Sequence, residues 1–304
     1  MLRIAITFGS SLVAAARPQK GAYMLHCARS LAGTALCLAL ASTVCAQAAP
    51  LVQTAFEAEF GGLKVFTNSY RVGASGVASD FDFVGQGGEE ILFPFERLSA
   101  IFTVAGDHQL RFLYQPLQID TEVTFRNAVT IDGQIFPALT PMKLSYGFPF
   151  YRATYQYRFL KGGGSWLAGG AAIQLRDASI KFEDLAGTQL AVSQNLGIVP
   201  ALAISGRLAL GSGLWASFDA TGIYASSAFF NGASFQFTGS ILDASLRFGA
   251  SLRDVGDVYL NARFIGGTAD GTSGYVNSQW TNSISPIASN HLATAAFTIG
   301  TTIR

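Results

Sequence analysis

Residues Tyr151–Phe159 read YRATYQYRF. In an extended strand, successive side chains point to opposite sides. Tyr151, Ala153, Tyr155, Tyr157 and Phe159 then share one face, and Arg152, Thr154, Gln156 and Arg158 share the other. A helix would scatter both sets around its axis. The same period-2 pattern returns in Asp243–Arg253 (DASLRFGASLR), where Ala244, Leu246, Phe248, Ala250 and Leu252 oppose Asp243, Ser245, Arg247, Gly249, Ser251 and Arg253. It recurs over Val258–Phe264, with Asn261 and Arg263 on the polar side. At the C-terminus Ala293, Ala295, Phe297, Ile299 and Ile303 alternate with Thr294, Thr298, Gly300 and Thr302.

Extending this reading along the chain gives ten strands, at about 55–66, 95–105, 108–118, 142–160, 166–184, 195–210, 214–228, 239–253, 257–268 and 290–303. The connections are of two kinds. Gly106-Asp107, Lys161–Ser165, Gly211–Gly213 and Asp254–Gly256 are short and glycine-bearing, as tight turns require. Segments 67–94, 119–141, 185–194, 229–238 and 269–289 are long and polar. The two kinds alternate strictly, as in an up-and-down antiparallel barrel with tight turns at one end and long loops at the other. Eight or twelve strands are the nearest alternatives, since residues 77–84 (VASDFDFV) could add a strand or an external hairpin.

Composition says where such a barrel resides. Of 304 residues, 50% are hydrophobic and only 13% charged, and the mean hydropathy is +0.34. An average soluble domain carries about 25% charge. No stretch after residue 49 holds 18 consecutive apolar residues, so helical membrane spans are excluded. Lipid otherwise admits only closed barrels, because every backbone polar group must be satisfied within the protein. A soluble sandwich or lipocalin-like barrel has the same alternation turned inside out. The apolar composition and the leader weigh against it.

The leader is Leu31–Ala46, sixteen uncharged and mostly apolar residues preceded by Arg29 and followed by the small-x-small site Ala46-Gln47-Ala48. That is the order of a secretory signal peptide. The expected organisation is a signal over 1–48 and a barrel over 49–304, with an alternative start at Met24. Removing 1–48 takes away Arg3, Arg17, Lys20 and Arg29 and no acid, so the formal charge falls from +1 to about −3. Nucleic-acid binding is not expected at that charge. Cys27, Cys37 and Cys45 leave with the signal, which removes disulfide and thiol chemistry.

On these strands, turns and leader the chain resembles the outer-membrane β-barrel superfamily of Gram-negative bacteria, over most of residues 55–304. The resemblance implies localisation in the cell outer membrane, with outer-membrane lipid and the barrel-assembly machinery as partners. Such barrels usually end in an aromatic residue that the machinery reads; here the last residues are Thr302-Ile303-Arg304.

By strand parity the lumen receives Glu57, Glu59, Arg97, Arg111, Arg152, Arg158, Arg176, Arg207, Asp219, Asp243, Arg247 and Arg263. Arginines and carboxylates on facing walls form bidentate pairs. A ten-stranded barrel is only slightly wider than the eight-stranded size that side chains fill. A salt-bridged plug is therefore expected, with a narrow anion-preferring pore as the alternative. A second alternative is a hydrolase at the external rim. Ser289 and His291 lie two apart on one strand face, and Asp270 can approach from the preceding loop; such a site needs its hydroxyl, base and orienting acid in series. No metal or cofactor motif is present; His108 sits beside a turn, and the glycine pairs form neither GxGxxG nor a P-loop. The expected role is non-enzymatic, structural or surface-binding, with any external ligand held by loops 67–94, 119–141 and 269–289.

Overall fold

The computed structural model describes residues 51–73, 76–226, 237–252, 255–272 and 287–304, without the side chains of residues 176, 195, 196, 237 and 272. The signal segment lies outside the described residues. The described residues form fifteen strands: β1 (Val52–Val72), β2 (Phe81–Asp82), β3 (Leu92–Val104), β4 (His108–Gln115), β5 (Gln118–Thr124), β6 (Val129–Ile131), β7 (Gln134–Phe136), β8 (Pro141–Gly147), β9 (Phe150–Gly162), β10 (Ser165–Asp184), β11 (Leu190–Gly211), β12 (Leu214–Ser226), β13 (Phe237–Leu252), β14 (Gly256–Thr272) and β15 (Ile287–Ile303).

Ten of them close a ring. In order these are β1, β3, β4, β9, β10, β11, β12, β13, β14 and β15, every neighbour antiparallel. The ring shuts through β15 against β1, from Phe56↔Ile303 to Val72↔Ala288, and β1 pairs on its other side with β3. Closure removes the sheet edges over the height at which all ten strands pair. Ten strands are thus the count, and residues 77–84 contribute only the two-residue β2, hydrogen-bonded to the outer end of β1.

Two of the long wall strands are interrupted without losing register. Gln115 faces Phe150 and Gln118 faces Gly147, so Pro116 stands opposite Pro149. Neither proline has an N–H to donate, and the ladder lapses there. β4 with β5, and β8 with β9, therefore act as single long strands. β1 carries one β-bulge, between Val65 and Thr67. Below it the odd residues face inward; above it Asn68, Tyr70 and Val72 do.

Tight turns join strands at the end that carries both termini. Ala105-Gly106, Gly163-Gly164 and Ser212-Gly213 each place two successive residues at positive φ. That is the two-residue hairpin geometry matching strand twist, and it favours glycine at its second position. Asp132-Gly133 repeats it in the external β6–β7 hairpin.

Side-chain direction removes the soluble alternatives. Leu246, Phe297 and Ile299 are 68–70% exposed on the outer face, while Asp243 and Arg263 are at most 2% exposed inside. A soluble barrel would reverse this. The outward faces of β1, β13, β14 and β15 form an apolar belt that includes Phe60, Phe248, Leu260 and Phe297. His108 belongs to the belt's lower edge, against Tyr155 and Tyr157, with its Nδ1 2.8 Å from the Tyr155 hydroxyl. It is part of an aromatic rim.

An aromatic core packs into part of the external half of the barrel. Segments 76–91 and 116–149 fold over the opening and bury Phe81, Phe83, Phe125 and Phe136 with Phe182 of β10 and Tyr146 of β8. Phe81–Phe83 and Phe81–Phe182 both have centroids 5.0 Å apart at nearly perpendicular planes, the favoured edge-to-face arrangement. Much of what reads as the loops 67–94 and 119–141 is therefore a packed cap. Residues 273–286 of the third long loop lie outside the described residues.

Candidate functional site

Below the aromatic cap, nine of the twelve charged lumen residues meet in one network. Asp243 of β13 is its centre. Its carboxylate accepts hydrogen bonds from Nη1 of Arg97 (β3) and Nη1 of Arg152 (β9), both at 2.8 Å, and from Nη1 of Arg263 (β14). Glu59 (β1) accepts from Arg247 Nη2 at 2.6 Å and from Asn261 Nδ2 at 3.0 Å. Arg247 (β13) also donates bidentately to Glu57 (β1) at 3.1 Å and lies 3.2 Å from Asp219 (β12). Arg111 (β4) reaches Glu57 and Asp219 at 3.9 and 4.0 Å.

Neutral side chains complete it. Gln115 accepts from Arg97 at 2.9 Å, and Gln174 accepts from Arg152 Nε at 3.0 Å. A cavity beside Arg97, Arg111, Arg152 and Asp219 measures about 20 Å³. That is room for about one water molecule. The network crosses the lumen from wall to wall beneath the aromatic cap.

The other three expected members lie elsewhere. Arg207 donates to Asp257 at 2.9 and 3.3 Å, and Asp257 also pairs with Arg304 at 2.5 Å. Arg158 stands over the Trp166 ring at 4.6 Å. The side chain of Arg176 lies outside the described residues; its neighbour Asp177 is exposed on the outer face, where its amide meets Pro149 O at the rim. No register shift accompanies that charge pair.

Arg158 and Arg207 line a vestibule of about 770 Å³ open at the terminus-bearing end. Trp215 forms one wall, with the Arg207 guanidinium 4.2 Å from its centroid and Tyr259 at 5.7 Å. Glycine at position 300 makes the Tyr259 position possible, since a Cβ there would lie 2.2 Å from the ring.

The list of lumen charges omits Asp257, Gln115, Gln174 and Tyr259, whereas Asn261 is already on a polar strand face in the sequence. Asp257 had a signal in the sequence: it shares inward parity with Tyr259, Asn261 and Arg263. It matters because it neutralises Arg207. The network itself holds five guanidiniums against four carboxylates, far closer to balance than eight arginines against four acids.

At the external rim, Ser289, His291 and Asp270 do come together. Ser289 Oγ donates to Asp270 Oδ1 at 2.5 Å, His291 Nε2 lies 3.0 Å from the same oxygen, and Ser289 Oγ to His291 Nε2 is 3.4 Å. The acid is the hub, and a single ring nitrogen faces both partners. A nucleophile relay needs serine on one imidazole nitrogen and acid on the other. All three side chains point outward from the barrel, beside Arg71 and Ser69 of β1. Among the described residues, no group of three His, Cys, Asp or Glu could hold a metal ion.

No protein-family model and no curated protein matches this chain. Two solved structures are similar in outline. The P. putida toluene transporter TodX is 7% identical, covers 83% of this chain and 90% of its own, and gives a TM-score of 0.30. The outer membrane protease OmpT from Escherichia coli is 11% identical, covers 82% and 96%, and gives 0.26. With strand closure, apolar exterior and charged lumen established, the fold class is decided. The chain is a closed, ten-stranded, antiparallel up-and-down β-barrel with an apolar exterior. Its ten strands carry short turns at one end of the ring and a packed cap at the other.

Proposed function

We propose that this barrel resides in the outer membrane as a closed, non-channel protein that works through its external face, in a structural or surface-binding role. One observation carries the reading: nine charged residues from seven strands pair across the lumen, directly beneath an aromatic core. A pore would leave such groups hydrated and apart. The near balance of five guanidiniums and four carboxylates argues against an anion-selective constriction. The outward, acid-centred arrangement of Ser289, His291 and Asp270 argues against a rim hydrolase.

A binding role would draw on the cap segments 76–91 and 116–149 and on loop 269–289, where side chains differ most from the plain wall. Outer-membrane lipid, met by the apolar belt, and the barrel-assembly machinery are the expected partners. Proteoliposome swelling tests the closed lumen. The reconstituted mature chain should give no swelling in small sugars, and size-dependent swelling would establish a pore instead. Heat-modifiable mobility of the membrane fraction tests the location. Recovery of the mature chain from the soluble periplasm would end the proposal.

A further inference from the structure

Near the terminus-bearing end, the inward face of the wall alternates arginine with aromatic residues. Trp166 of β10 faces Arg207 of β11 directly across the ladder. Arg158 of β9 faces Ala168, and Arg207 faces Ser217, so each arginine reaches the next indole on the diagonal. Long side chains meet at that spacing. The Arg158 guanidinium lies 4.6 Å from the Trp166 centroid, and that of Arg207 lies 4.2 Å from the Trp215 centroid. Tyr259, 5.7 Å from Trp215, and Arg247, 5.1 Å from Tyr259, continue the band. A guanidinium held by its flat face keeps its N–H edge for another partner.

The acids of the vestibule are already engaged. Arg247 holds Glu57 and Asp219, and Asp219 also accepts from Ser245 at 2.9 Å. Asp257 accepts from Arg207 at 2.9 Å, Ser251 at 2.6 Å and Arg304 at 2.5 Å. Two guanidiniums are left over. Among the described residues, Arg158 has no carboxylate within 4.0 Å, and its side chain makes no hydrogen bond. The acid nearest to it in effect, Asp107 on the tight turn, is held by Lys161. Arg111 meets Glu57 and Asp219 only at 3.9 and 4.0 Å, beyond hydrogen-bond reach. Both arginines line the vestibule, and Arg158 stands in the field of Arg111 and Arg207. Residues before 51 and residues 253–254 adjoin this end and lie outside the described residues. Arg111, Arg158, Trp166 and Trp215 make their polar and ring contacts among the described ones.

The shape suits a small solute. A volume of about 770 Å³ is within the usual range of small-molecule sites, about 300–1,000 Å³. Gln53, Thr103, Ser205 and Ser217 add hydroxyl and amide groups to the lining. Uncompensated arginines select an anion, and their planar fork matches a carboxylate or a phosphate.

Going beyond the closed-barrel reading, we infer that this vestibule binds a small, hydrophilic, oxyanion-bearing solute from the aqueous phase at the terminus-bearing end, with Arg158 and Arg111 gripping its carboxylate or phosphate group. On the outer-membrane reading that phase is the periplasm.

Tryptophan fluorescence of the folded barrel in detergent micelles tests this. A Trp280→Phe background leaves Trp166 and Trp215 as the reporters. Inorganic phosphate and citrate are titrated separately, at an ionic strength held constant with sodium chloride, and glucose is the neutral control. At least one anion should change the emission saturably and glucose should not; the anion that saturates at the lower concentration identifies the group bound. Arg158→Gln and Arg111→Gln should each raise the half-saturating concentration at least tenfold. Lys181→Gln, which removes a charge paired with Glu183 in the external half, should leave it unchanged. A linear or absent response to both anions would overturn the inference. So would an Arg158→Gln variant that keeps its heat-modifiable mobility and binds like the parent. Arg158 lies outside the ion-pair network, so this binding can fail while the barrel stays closed to sugars, and swelling can appear while binding persists.

Discussion

Replacing Asp243 by alanine is the most informative single perturbation. The side chain is fully buried and accepts from three guanidiniums. After the substitution Arg97 keeps Gln115, Arg152 keeps Gln174, and Arg263 keeps Glu59 at 3.4 Å and Asp219 at 3.6 Å. Three like charges would then converge on a space with no carboxylate. Removing one partner of a buried ion pair costs about 3–5 kcal/mol, because the remaining charge is uncompensated. Asp243→Ala should therefore lose about 4 kcal/mol, near the upper part of the range for single substitutions. Asp243→Asn keeps an acceptor oxygen and should lose about half as much.

Arg207→Ala is the control. That side chain is 20% exposed and its partner Asp257 retains Arg304, so the loss should be about 1 kcal/mol. Equilibrium urea unfolding in phospholipid vesicles, followed by tryptophan fluorescence, measures all three. A loss below about 1 kcal/mol for Asp243→Ala would refute the reasoning. It would mean that water screens the carboxylate and that the network does not seal the lumen.

Other expectations are as direct. Phe248→Arg, on the lipid face, should cost about 2–4 kcal/mol in the same assay if it lies near the midplane; Arg247→Ala should destabilise through Glu57, Glu59 and Asp219, and equal tolerance of arginine at 247 and 248 would reverse the assigned faces. Burial in the cap pushes the Glu89 carboxyl up from its ordinary 4.5 to about 7, although Asn68 donates to it at 2.9 Å. The folded cap thus holds a proton that the unfolded chain releases, so cap stability is full below about pH 4.5 and falls as pH rises through about 7. Hydrogen-exchange protection factors over 81–89, corrected for the intrinsic pH dependence of exchange, should fall across that window, and Glu89→Gln should abolish the fall. His291→Ala should leave barrel folding and surface phenotype intact; loss of lipid or peptide hydrolysis in that variant would restore the enzyme reading.

Strand number and side-chain parity were legible because a barrel wall repeats one rule. Arg152 and Asp243 point inward for the same reason that Tyr151 and Phe248 point outward. Direction was not legible, since alternation looks the same from either side; only burial of Asp243 and exposure of Leu246 decide it. The bulge at Phe66 hid the upper part of β1, because parity reverses there and the pattern seems to stop. The cap was hidden for another reason. Phe81, Phe83, Phe125 and Phe136 sit among Asp, Gly and Thr with no sustained period, so they read as loop, and their meeting depends on contacts far apart in sequence. The rim cluster shows the limit of spacing: Ser289, His291 and Asp270 meet as expected, but which atom faces which is a matter of geometry.

Because the three cysteines all lie before residue 49, single cysteines along β13 provide the most direct test of a closed barrel with apolar residues outside and charges within. Cysteines placed singly at 244, 245, 246 and 248 in vesicle-reconstituted protein would be challenged with a lipid-dissolved maleimide and with a water-soluble, impermeant one from each side. The account predicts that 244, 246 and 248 react with the lipid-borne reagent and that 245 is protected from every reagent. Rapid labelling of position 245 by the water-soluble reagent would contradict it.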